Sequence, residues 1–155
     1  MFLSGVLFLA ACCAQAQTPA ASFLKISHLG TEGRPIVDLY LATQEPALDA
    51  AKGIDGLYNF QSVCLLTATE LAPLLRYAEI YSASHQSDSK DTKYGTFEIT
   101  LGTNPPRQLV YTRRKSVAFL QGAVQVLQKQ SAGPDKSEAL RRLEATARRV
   151  AAPAK

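Results

Sequence analysis

Hydrophobic and polar positions alternate in two early stretches, Phe23–Leu29 and Pro35–Ala42, with the period of a half-buried strand. Between them Gly30-Thr31-Glu32-Gly33-Arg34 supplies glycines for a turn, so the pair predicts a hairpin. Pairing Leu29 with Ile36 puts Leu24, Ile26, Val37, Leu39 and Leu41 on a core face, and Lys25, Ser27, Asp38 and Tyr40 on the other. The pattern returns at Thr96–Leu101 and Arg107–Thr112, around a loop, Gly102-Thr103-Asn104-Pro105-Pro106, whose prolines cannot continue a ladder. Pairing Ile99 with Leu109 there gives a buried face of Phe97, Ile99, Leu101, Leu109 and Tyr111, with Glu98, Thr100, Gln108 and Val110 opposite. Residues 57–66 hold Tyr, Phe, Val and Leu at the density of a further, buried strand.

The period changes elsewhere. Residues 45–52 read as a short helix with Pro46 early and Gly53 as a stop. Leu71, Leu74, Leu75, Ala78 and Tyr81 then fall on one helical face, with Thr69 as cap. Residues 82–93 are polar, with no aliphatic side chain after Ala83 to anchor them, and predict a mobile loop. From a cap at Ser116 to Gln130, Val117, Leu120, Val124 and Leu127, widened by Phe119, Ala123 and Val126, give a broad apolar stripe. A capping box, Asp135-x-x-Glu138, opens a last helix whose narrow stripe, Leu140, Leu143, Ala147 and Val150, predicts weak docking. Together these elements predict an α+β fold: an antiparallel sheet of about five strands packed on one face by two long helices, plus a C-terminal basic helix.

The first sixteen residues depart from all of this. They carry no charge and begin with a near-continuous apolar run, too short for the ~20 residues that span a bilayer. Ala14-Gln15-Ala16 follows as a small-x-small cleavage site, so residues 1–16 read as an export signal cut before Gln17, although no Lys or Arg precedes the run. A competing reading rests on four residues: Leu9-Ala10-Ala11-Cys12 resembles the lipobox of bacterial lipoproteins, which implies lipidation of Cys12 and a membrane anchor. The rest divides into a linker at 17–22, a single domain at 23–130, and a basic helix and tail at 131–155. Cleavage at Ala16 leaves Cys64 as the only thiol, which excludes an internal disulfide, and its apolar neighbours suit burial.

Charge changes the picture only at the end of the chain. Residues 1–135 hold eleven Lys+Arg and eleven Asp+Glu, whereas residues 136–155 hold six and two, so the tail carries the whole net charge of +4. Arg141, Arg142, Arg148 and Arg149 are a candidate surface for a protein partner or an anionic envelope component. Glu138 and Glu144 nevertheless stand at i, i+4 spacing to Arg142 and Arg148, as in solvated intrahelical pairs. No aromatic residue interleaves these arginines, which with export argues against nucleic acid. Arg113, Arg114 and Lys115 precede a helix and form a candidate anion site, without a Gly-rich phosphate loop to support it.

Catalytic candidates are thin. His28 and His85 stand in no metal-ligand spacing, no G-x-S-x-G occurs, and no cofactor or metal motif is present. The register above puts His28 and Asp38 on opposite faces. Function is therefore read as that of an exported, non-enzymatic binding or envelope-associated protein, periplasmic or extracellular, docking on an exposed sheet face or the basic helix. The alternative is a small enzyme with His28 as general base and Arg113, Arg114 and Lys115 as an anion clamp.

Overall fold

The computed structural model describes residues 22–30, 35–45, 59–88, 96–103, 105–130, 133 and 136–152. The export signal, the lipobox cysteine Cys12 and the short helix expected at 45–52 lie outside those residues, apart from Glu45.

Strands β1 (Phe23–Leu29) and β2 (Pro35–Ala42) form the expected antiparallel hairpin, but with a break in register. Ile26 pairs with Leu39 while the next residue, Ser27, pairs with Val37, so Asp38 is the extra residue of a β-bulge. The bulge overturns the predicted faces: Val37 joins Tyr40 and Ala42 on the side opposite Leu39 and Leu41. Strands β3 (Asn59–Phe60) and β4 (Val63–Leu65) lie along the outer side of β2. They share one register, continued between them by Gln61 N–H to Val37 O and Tyr40 N–H to Ser62 O, both at 2.8 Å.

The other side of β1 pairs with β5 (Thr96–Leu101), which pairs with β6 (Arg107–Thr112) through Ile99 opposite Leu109. The order is thus β3/β4, β2, β1, β5, β6. The sheet is mixed, not antiparallel as the sequence suggested, because β3 and β4 run parallel to β2. The physical reason is connection length: a hairpin turn joins antiparallel neighbours, whereas residues 43–58 are enough chain for a crossover to a parallel one.

Helix α1 (Ala68–Ser84) starts two residues earlier than the periodicity placed it, because Thr67 and Glu70 form a capping box. Thr67 Oγ1 accepts from Glu70 N–H, and Glu70 Oε2 accepts from Thr67 N–H at 3.0 Å. The helix also runs further, taking in a buried Ser82 from the stretch expected to be loop. Beyond it, Ser87 and Asp88 bind the outer side of β6: Asp88 N–H donates to Val110 O (2.7 Å) and Val110 N–H to Ser87 Oγ (2.8 Å). Polar contacts here supply the anchoring that the missing aliphatic side chains cannot. Helix α2 (Arg113–Lys129) follows β6 directly, with Ser116 buried inside its first turns instead of capping it.

Helix α3 (Lys136–Ala151) packs mainly on α2 and also reaches β2 and β4. Its docking is firmer than its narrow stripe implied, since Ala139, Leu143, Thr146 and Val150 are all buried. One apolar cluster unites all three helices with Leu24, Ile26, Leu39, Leu41, Ile99 and Tyr111 of the sheet. A second, smaller cluster on the opposite face consists of Val37, Tyr40 and Ala42, with Phe23 and Val63 against them, and contains no residue of a described helix.

Candidate functional site

The bulge in β2 has a chemical consequence. In an unbroken ladder Asp38 would face away from His28; with one extra residue the two meet, and His28 Nδ1 lies 2.6 Å from Asp38 Oδ2. Asp38 is almost fully buried, at 3% side-chain exposure, while the imidazole is 31% exposed. Helix α3 completes the cluster: Arg149 Nε lies 3.4 Å from Asp38 Oδ1, and Arg149 Nη2 donates to the Asp38 carbonyl at 2.8 Å.

Paired with the guanidinium, the Asp38 carboxylate offers only accepting positions, so the imidazole must donate through Nδ1. Nε2 makes no hydrogen bond to the described residues. Alternation along a strand cannot locate a bulge, so the pairing of His28 with Asp38 is hidden in the sequence pattern. The available signal was an acidic residue amid the apolar run Ile36-Val37-Asp38-Leu39.

His28 lines a cavity of about 370 Å³ together with Lys25, Ser27, Glu98, Gln108 and Val110. Lys25, Ser27, Glu98, Gln108 and Val110 share the face opposite the helices, as the register of β1, β5 and β6 requires. The described lining includes a cation, a carboxylate, an amide and the hydroxyl residues Ser27 and Thr96, an inventory that can hydrogen-bond a small molecule in several directions.

The other candidates disperse. Lys115 Nζ pairs with Asp88 Oδ1 at 2.5 Å and donates to Gln86 O at 3.1 Å. Asp88 Oδ2 accepts from Thr112 N–H at 2.8 Å, so a carboxylate of the protein itself sits at the start of α2. The Lys115 ammonium first, then the Thr112 amide, hold the Asp88 carboxyl below its ordinary value. Arg113 Nη1 reaches across to Ala152 O at 2.8 Å, past the end of α3, and Arg114 is exposed. These three cations therefore do not converge on one point.

In the tail, Arg141 and Arg142 both bind Glu138, at 2.8 and 2.5 Å, and lower its pKa, Arg142 foremost. Arg142 also donates to Ser62 Oγ at 3.3 Å, and Arg149 serves Asp38 as described. Arg148 is exposed and borders a groove of about 460 Å³ between α2 and α3 with Gln121, Val124, Gln128 and Ala147.

His85 stacks on Tyr81, ring centroids 3.9 Å apart, as part of the α1 terminus. Cys64 is buried. Among the described residues no three His, Cys, Asp or Glu side chains gather to hold a metal, and no helix is long and apolar enough to cross a membrane. No protein-family model, curated protein or solved structure matches the chain.

Proposed function

We propose that the protein is an exported, non-enzymatic binding protein whose ligand seat is the polar part of the helix-free sheet face. The observation that carries this reading is the cavity of about 370 Å³ bordered by Lys25, Ser27, His28, Glu98 and Gln108, within the size range of small-molecule sites. The sheet face is preferred to the basic helix as the seat because Arg142 and Arg149 already bind groups of the protein's own sheet region. Export rests on the uncharged apolar run of residues 1–16 and its Ala14-Gln15-Ala16 site.

Native mass spectrometry of the protein recovered from the expressing cell tests the seat. The expected result is a non-covalent adduct of small-molecule mass that disappears when Gln108→Trp fills the cavity. Bare protein in both samples would sink the reading. The same spectra under denaturing, non-reducing conditions locate the mature start: Gln17 for simple cleavage, lipidated Cys12 for an anchored protein. An unprocessed Met1 would remove export altogether.

A second reading, a small enzyme with His28 as general base, draws support from the 2.6 Å contact that orients His28 on Asp38, whereas its anion clamp of Arg113, Arg114 and Lys115 draws none, since Lys115 pairs with Asp88 and Arg113 turns to Ala152. Turnover of a candidate substrate that survives His28→Ala would eliminate it.

A further inference from the structure

We infer that the outer face of the α2–α3 helical pair is an interface with a second copy of this chain, closed by a two-fold axis that passes between Glu144 and Arg148 beside Ala147. The inference stands apart from the binding reading above and needs no ligand.

Glu144 and Arg148 carry it. They stand at the same i, i+4 spacing as Glu138 and Arg142, which pair at 2.5 Å. Glu144 and Arg148 make neither an ion pair nor a side-chain hydrogen bond with any described residue. Both instead border the groove of about 460 Å³ along α2 and α3, Glu144 half-buried and Arg148 exposed. An acid and a base one turn apart on a single helix are self-complementary. When a second α3 crosses the first in the antiparallel sense, Glu144 of each copy stands opposite Arg148 of the other, and one contact matches all four charges. A foreign protein would have to carry a base and an acid in the reverse order; a second copy has them by symmetry.

The rest of the groove has the same property. Helix α2 contributes Gln121, Gln125 and Gln128, whose amides both donate and accept, so each can bond an amide that symmetry brings against it. Val124 and Ala147 add apolar surface, and the small side chain of Ala147 lets a second helix approach closely.

The size of the face sets the strength expected. Helices of 17 and 16 residues are about 25 Å long, and two side by side cover roughly 20 Å of width. Such a face offers about 500 Å² per copy, below the ~800 Å² of a standard interface. The dimer is therefore weak and depends on concentration.

The test is sedimentation equilibrium of the full-length recovered protein from about 10 μM to 1 mM, the span of a weak association. The weight-average mass is expected to rise from one chain toward two and to go no higher. Charge reversal then separates this contact from any other. Glu144→Arg sets bases against bases at the axis, and Arg148→Glu sets acids against acids, so each variant alone should dissociate at least about tenfold more readily. Mixed in equal amounts, the two variants should associate as tightly as the native chain, because each base then meets an acid of the other copy. Equal melting temperatures for dilute native and variant chains check that the fold is kept. Glu144→Gln and Arg148→Gln, which remove a charge without reversing it, guard against a reversal that misfolds; each should weaken association about 2- to 30-fold, the loss of two exposed ion pairs.

A native protein still at the mass of one chain at the highest concentration would overturn the inference, as would a mass that climbs past two chains. Reversed or neutralised variants that associate as the native chain does, or a mixture no tighter than its components, would overturn it equally.

Discussion

Asp38 shows how much one residue can alter. A strand of period two assigns every side chain to a face, and that assignment holds for Leu24, Ile26, Leu39 and Leu41, all fully buried. It fails for Val37 and Asp38, because the sequence gives no reason to insert an extra residue opposite Ile26 and Ser27; that choice is made by the partners Asp38 finds across the sheet. Replacing Asp38 by Asn removes the charge that binds Arg149 while keeping an acceptor for His28. We expect a loss of about 1 to 2 kcal/mol in urea unfolding, moderated because the guanidinium, 45% exposed, can recover water. The pair of Asp88 with Lys115 makes a pH-dependent prediction. The folded-state pKa of Asp88 is lowered, so its contribution is present above the ordinary value of 3.8 and is lost as pH falls through the lower folded value. The gap in urea midpoint between the native protein and Lys115→Met should therefore be steady near neutrality and close only below 3.8.

Legibility differs from element to element for identifiable reasons. The β5–β6 hairpin was readable to the residue pair, Ile99 with Leu109, because its loop is short and its faces differ in polarity. The β3/β4 edge was readable only as a strand; its direction depends on the route of the chain, which no local pattern encodes. The candidate site was less legible still, since Ser27, Glu98 and Gln108 meet only through the pairing of three strands. Helix packing adds contacts that composition cannot disclose. Tyr77 of α1 stacks on Phe119 of α2 with centroids 5.4 Å apart and donates to its carbonyl at 3.1 Å, directly over Gly122. A Cβ at Gly122 would overlap the Tyr77 hydroxyl. Gly122→Ala should therefore destabilise by about 1 to 3 kcal/mol despite the better helix propensity of alanine, and combining it with Tyr77→Leu should recover part of the loss in thermal unfolding.

For the whole molecule, one apolar cluster joins all three helices to one side of the sheet, while the opposite side carries the polar cavity. The C-terminal helix fills the first with Leu143 and Val150 and reaches the bulge of β2 through the pairing of Arg149 with Asp38. The ends of the sheet matter as much as its faces. At β6, Ser87 and Asp88 occupy the backbone positions that another strand would take, engaging Val110 on both its amide and its carbonyl and Thr112 on its amide. Growth of a fibre by strand addition needs two receptive margins on every copy, one to accept and one to offer. With the β6 margin already engaged by the chain itself, edge-to-edge assembly has no second end from which to continue: two copies could meet through the far margin, and a third would find nothing to join.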